Sequence, residues 1–109
     1  MKFKKGVKIF GVRAEMSMAM TVIDEVYREL DNTENCVITS CTDGTHSRGS
    51  DHYVGLALDV RVWGFNREQR TLCCDMLRER LTSEFEVFDE ETHIHIGFDP
   101  QQPLNIKEE

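Results

Sequence analysis

The chain is short of what several functional classes require. Basic residues are in deficit: 13 Lys and Arg stand against 20 Asp and Glu, a net charge of −7. A nucleic-acid binder needs basic surface to meet phosphate, so that partner is not expected. The same sign gives no attraction to an anionic membrane or wall. No apolar run is long enough to span a bilayer. The start, "MKFKKGVKIFGV", has lysines, but its apolar stretch is too short and broken for a secretion signal. Synthesis and folding in a cytoplasm are therefore expected. The four cysteines, Cys36, Cys41, Cys73 and Cys74, form no CxxC pair and read as free thiols in a reducing compartment. Repeats, linkers and low-complexity runs are also missing. The 109 residues thus read as one domain, long enough to bury a core without disulfides. Residues 1–100 are expected to form it, and 101–109 a flexible polar tail. Histidine is scarce too. All four lie in two clusters: His46 and His52 in "THSRGSDHYVGLALDV", His93 and His95 in "HIHIGF".

Periodicity supplies the elements. "VKIFGV" (Val7 to Val12) reads as a strand. A helix is predicted from about Met16 to Asp31, with Val22, Ile23, Val26, Tyr27 and Leu30 on one apolar stripe and Asp24 placed to pair with Arg28. "NTEN" ends it, and "CVITS" (Cys36 to Ser40) is a β-branched strand. A polar loop follows, then "YVGLALDVRV" (Tyr53 to Val62), which alternates as a strand should. "WGFN" turns the chain. Asn66 caps a second helix from Arg67 to about Ser83, with Gln69 completing a capping box and Leu72, Cys73, Met76, Leu77 and Leu81 inward. "FEVF" and "HIHIGF" form a hairpin across the tight turn "DEET". The expected fold is α+β: a mostly antiparallel sheet with two helices packed on one face.

Strand parity points to chemistry. Leu56, Leu58 and Val60 share one face of their strand, as Ile94, Ile96 and Phe98 do of theirs, and both faces must be core. The opposite faces carry Gly55, Ala57 and Asp59, and His93, His95 and Gly97. Small residues beside ionisable ones suggest a cleft over the sheet. Two histidines and an aspartate converging on one point suit Zn²⁺. Three protein ligands leave a position for water, the arrangement of a catalytic site rather than a structural one. The expected ligands are His52, Asp59 and His95.

"SDHYVGLALD" (Ser50 to Asp59) fits SxHxxGxAxD, and "HIH" follows near the end of the domain. From about Val37 to Pro100 the chain resembles the zinc D-alanyl-D-alanine carboxypeptidases. Their relatives include the L-alanyl-D-glutamate endopeptidases of phage endolysins, the D-alanyl-D-alanine dipeptidases and the Hedgehog signalling domain. The resemblance implies the Hedgehog/DD-peptidase fold and zinc on His52, Asp59 and His95. It places His93 against the substrate or tetrahedral intermediate, and aligns His46 of "HSRGSDH" with the histidine preceding the motif. It also implies a carboxylate as general base, whose offset varies among subfamilies. At the commonest position this chain has Thr92, a departure from the pattern. The phage-type spacing ExxHIH selects Glu90, and the Hedgehog spacing selects Asp89.

Arg48 and Arg61 are candidate anchors for a substrate carboxylate. The function these features imply is hydrolysis of bacterial cell-wall peptides by a monomeric zinc metallopeptidase. Two alternatives carry the same fold: a zinc-binding module without catalysis, and a phage structural protein. With no wall-binding module or leader in the sequence, a phage-encoded protein reaching the wall by lysis or in a virion is the expected origin.

Overall fold

Segments with β-branched or apolar residues at alternate positions form the sheet of the computed structural model, and segments with helical spacing cover it. The structure describes residues 1–7, 14–41 and 57–98. In chain order the elements are β1 (Lys2–Phe3), α1 (Ala14–Glu29), a 3₁₀ turn (Thr33–Asn35), β2 (Val37–Cys41), β3 (Ala57–Arg61), α2 (Arg67–Arg80), β4 (Phe85–Asp89) and β5 (His93–Phe98). The sheet has five strands in the order β1-β2-β3-β5-β4. β1 runs parallel to β2, and the other three pairings are antiparallel. The architecture is α+β, two helices with a mixed sheet.

Within the described residues the elements follow the sequence pattern closely. α1 starts two residues earlier than predicted and stops at Glu29; Asp31, at φ 58°, takes the chain out of the helix. Its buried stripe is Met16, Ala19, Ile23, Val26 and Tyr27, with Val22 and Leu30 at the margin. Arg28 pairs with Asp24 at 2.7 Å, as the i,i+4 spacing predicts. α2 opens on the Asn66 capping box, with Asn66 Oδ1 accepting from the Gln69 N–H and Gln69 Oε1 from the Asn66 N–H, each at 2.8 Å. Two expected strand segments, residues 8–12 and 53–56, lie outside the described residues. β1 was not legible: two residues are too few to show a period.

One face assignment is corrected. Leu72 is nearly half exposed, and Cys74 takes its place in the core beside Cys73 and Leu77. The inward stripe of α2 is therefore rotated by about one residue from the leucine-weighted reading. Both adjacent cysteines are buried, because α2 is wedged between α1 and β4 and a thiol is small enough for either flank. Burial pushes the Cys73 thiol up to about 12 and the Cys36 and Cys74 thiols up to about 11. All four cysteines are free. At these values Cys36, Cys73 and Cys74 are packing groups rather than nucleophiles.

The core joins these helical residues to Ile38, Cys41, Leu58, Val60, Ile94, Ile96 and Phe98 from one face of the sheet. Each large side chain buried there contributes about 1.5–3 kcal/mol. The far end of β3 is pinned to the end of α1. The Tyr27 hydroxyl donates to the Arg61 carbonyl, and Asn32 Nδ2 donates to the Trp63 carbonyl at 2.9 Å. These bonds fix the strand that carries Asp59. No helix among the described residues is long and apolar enough to cross a membrane.

Candidate functional site

The site lies on the sheet face opposite the core. Register decides what meets there. Ala57 pairs with Gly97, Asp59 with His95 and Arg61 with His93, while β4 sets Glu86 opposite Gly97 and Phe88 opposite His95. The β4–β5 turn holds that register. Asp89 Oδ1 accepts from the Glu91 N–H at 2.9 Å, Glu91 adopts φ 73°, and the Glu90 N–H donates to the His93 carbonyl at 2.9 Å. The parity read from the sequence therefore puts Asp59, His93 and His95 on one surface, as expected.

His95 Nδ1 lies 3.1 Å from Asp59 Oδ1, and His93 Nε2 lies 3.8 Å from Asp59 Oδ2. His95 and Asp59 keep about one-sixth of their side-chain surface exposed, and His93 one-third. Bonds of about 2.0–2.2 Å from one tetrahedral zinc ion would set two ligand atoms roughly 3.3 Å apart. An imidazole nitrogen and a carboxylate oxygen at 3.1 Å therefore suit a shared ion in both type and spacing. Among the described residues no group of three His, Cys, Asp or Glu is arranged to hold a metal. The third expected ligand, His52, lies outside them, as do His46 and Arg48.

The remaining predicted residues fall in different places. Glu90 is exposed in the turn directly before β5. Asp89 pairs across the sheet with Ile94, a core-facing residue, and its carboxylate receives Arg70 Nε from α2 at 3.0 and 3.2 Å. It faces the helices, not Asp59. Thr92, at the commonest position of the family base, has its hydroxyl 3.0 Å from His93 Nδ1. Arg61 stacks its guanidinium 3.7 Å above the ring of Trp63, which is 62% exposed. No carboxylate among the described residues pairs with Arg61, whereas Arg28, Arg70, Arg78 and Arg80 are each ion-paired.

One expectation about the surface is corrected. Ala57 has no exposed surface and Gly97 is buried, so the sheet is not open to solvent at that end. The reachable part of the face begins at Asp59.

Two residues that shape the site were missed in the sequence. Glu86 Oε2 lies 3.7 Å from His95 Nε2, and the Phe88 ring lies 6.1 Å from the His95 ring at an interplanar angle of 18°. The signal was present. Counting the hairpin back from "DEET" sets Glu86 and Phe88 on the histidine face, since Phe85 and Val87 must point to the core. Comparison of the chain with family models, curated proteins and solved structures returns no match.

Proposed function

We propose that the chain is a zinc-dependent peptidase that hydrolyses bacterial cell-wall peptides. In this reading its sheet and helices form the antiparallel-sheet, one-sided helix layer of the Hedgehog/DD-peptidase fold. The scissile bond is D-Ala-D-Ala in the carboxypeptidase form or L-Ala-D-Glu in the endopeptidase form. The observation that carries the reading is the 3.1 Å approach of His95 Nδ1 to Asp59 Oδ1 across paired strands. Seven positions upstream of Asp59 stands His52, in the motif SxHxxGxAxD.

His52, Asp59 and His95 would hold the metal. Bound zinc supplies an acidified water, with a pKa of about 7, and a Lewis acid for the carbonyl. Glu90, in the turn before β5, takes the proton of the attacking water and returns it to the departing amine, a role worth about 10²–10⁴ in rate. His93, with Nδ1 fixed by Thr92 and Nε2 toward Asp59, presents a ring edge to the oxyanion; His46 is the other candidate for that task. Arg61, opposite His93 and flat on Trp63, offers its N–H edge to a substrate carboxylate; Arg48 would add to it from the motif loop.

Digestion of purified peptidoglycan, with mass analysis of the fragments, tests the reading. Chelator-sensitive release of D-alanine or of L-Ala-D-Glu cleavage products is expected, and Glu90→Ala should abolish it. Intact peptidoglycan and intact D-Ala-D-Ala peptides with a zinc-loaded protein would refute catalysis. Thr92 at the usual base position favours one alternative, a zinc module that binds without turnover; that same outcome would support it.

A further inference from the structure

We propose that Trp63 is a positioning residue of this site. Its ring holds the Arg61 guanidinium clear of Asp59 and presents it to the carboxylate of a bound peptide. This rests on the reading of the site as one that binds cell-wall peptides. It names what the two substrate forms share there: a carboxylate on the residue that departs.

The alternation of β3 runs on for two residues past its end. Val62 is buried, while Trp63 turns out beside Arg61, whose guanidinium lies 3.7 Å from the centre of its ring. The ring is 62% exposed, yet the backbone beneath the pair is held. The Tyr27 hydroxyl donates to the Arg61 carbonyl, and Asn32 Nδ2 donates to the Trp63 carbonyl at 2.9 Å. Gly64, the next residue, packs so closely on Asn32 and Asn35 that a Cβ there would sit 2.8 Å from each. A large exposed ring on a fixed backbone serves as a platform, not as core.

Charge explains why a platform is needed. Asp59 and Arg61 share one face of β3, about 7 Å apart along the backbone, a gap that an arginine stem can span. An ion pair between them would take Asp59 from a metal and Arg61 from a substrate. The side chains go elsewhere: Asp59 meets His95 and His93, and Arg61 lies on Trp63. Arg28, Arg70, Arg78 and Arg80 are each committed to an ion pair. A guanidinium stacked through its flat face keeps its N–H edge for the two oxygens of a carboxylate. Arg61 also stands directly across from His93, so the anchor is one side-chain repeat along the sheet from Asp59.

The test uses the zinc-loaded full chain carrying Glu90→Ala, so that peptide is bound but not cut. The probes are N-acetyl-D-Ala-D-Ala, N-acetyl-L-Ala-D-Glu and their amidated forms. Trp63 is the chain's one tryptophan, so its fluorescence reports on the stack directly. A saturable change with a carboxylate peptide, weak or missing with its amide and lost in Arg61→Gln, is expected; the tighter of the two peptides names the substrate form. By calorimetry, Trp63→Ala should weaken that binding about 3–10-fold, and Trp63→Phe, which keeps an aromatic face, by no more than about 2-fold. Adding Trp63→Ala to Arg61→Gln should cost nothing further, because the ring acts through the guanidinium. Thermal melts establish that each variant is folded. Unchanged affinity in folded Trp63→Ala, an equal loss for the amides, or full additivity with Arg61→Gln would overturn the role of Trp63. Carboxylate-dependent binding by a chain that leaves peptidoglycan intact would sink the peptidase reading alone. Cleavage by the parent chain with no preference for the carboxylate forms would sink this inference alone.

Discussion

Substituting Gly64 by alanine should be among the most destabilising single-methyl additions in this protein. Gly64 follows β3 with φ 87°, a conformation that costs an L-residue about 1–2 kcal/mol. Space is also lacking. A Cβ there would sit 2.8 Å from both Asn32 Oδ1 and Asn35 Nδ2. Those two atoms are bonded to each other at 2.8 Å, and Asn32 also donates to the Trp63 carbonyl at 2.9 Å. Making room breaks or stretches two bonds around the buried Asn32, each worth about 1 kcal/mol. The sum is roughly 2–4 kcal/mol, a fall in Tm of roughly 10–20 °C for a domain of this size. Gly6 is the internal control. It has φ 93° but nothing within 4 Å of its Cβ position, so Gly6→Ala carries only the conformational cost. Urea unfolding followed by circular dichroism compares the two. Equal losses, or a loss at Gly64 under about 1 kcal/mol, would show that the Asn32–Asn35 pair does not brace the end of β3.

Other expectations follow from the same structure. Asn66→Ala removes one half of the capping box and should cost about 1 kcal/mol in urea unfolding. Ile96→Ala, at a fully buried position of β5, should cost about 2–5 kcal/mol. The thiols of Cys36, Cys73 and Cys74 are raised from 9.0 to about 11, 12 and 11. Their stabilising contribution is therefore complete below about pH 9 and is lost as pH rises through 11 to 12, and alkylation of the folded chain at neutral pH should be far slower than of the unfolded one. Arg61→Gln should raise KM for a carboxylate-bearing peptide about 10–100-fold with little change in kcat, the loss of one charge-assisted anchor.

Strand parity made the shared face of Asp59, His93 and His95 legible. In "GLALDV" and "HIHIGF" the core-facing leucines, isoleucines and valines alternate with Asp59, His93 and His95, so a period of 2 fixes which side chains share a face. The capping pair Asn66 and Gln69 and the turn at "DEET" were legible because each is a local device that acts within four residues. What was not legible depends on neighbours distant in sequence. Leu72 reads as core, but the direction of α2 is set by where α1 and β4 lie, and that exposes Leu72 in favour of Cys74. Asp89 reads as a candidate base, yet Arg70 of α2 holds it on the helix side. Glu86 reads as an ordinary strand surface residue until the β4–β5 register sets it opposite Gly97 and within reach of His95.

Metal content decides most directly whether Asp59 and His95 form half of a zinc site. The full chain, loaded with zinc and dialysed, should carry one ion per molecule by elemental analysis, and Asp59→Ala and His95→Ala should each lose it while remaining folded by circular dichroism. His52→Ala should do the same. A parent chain that binds no zinc after reconstitution, or variants that keep it, would contradict the assignment.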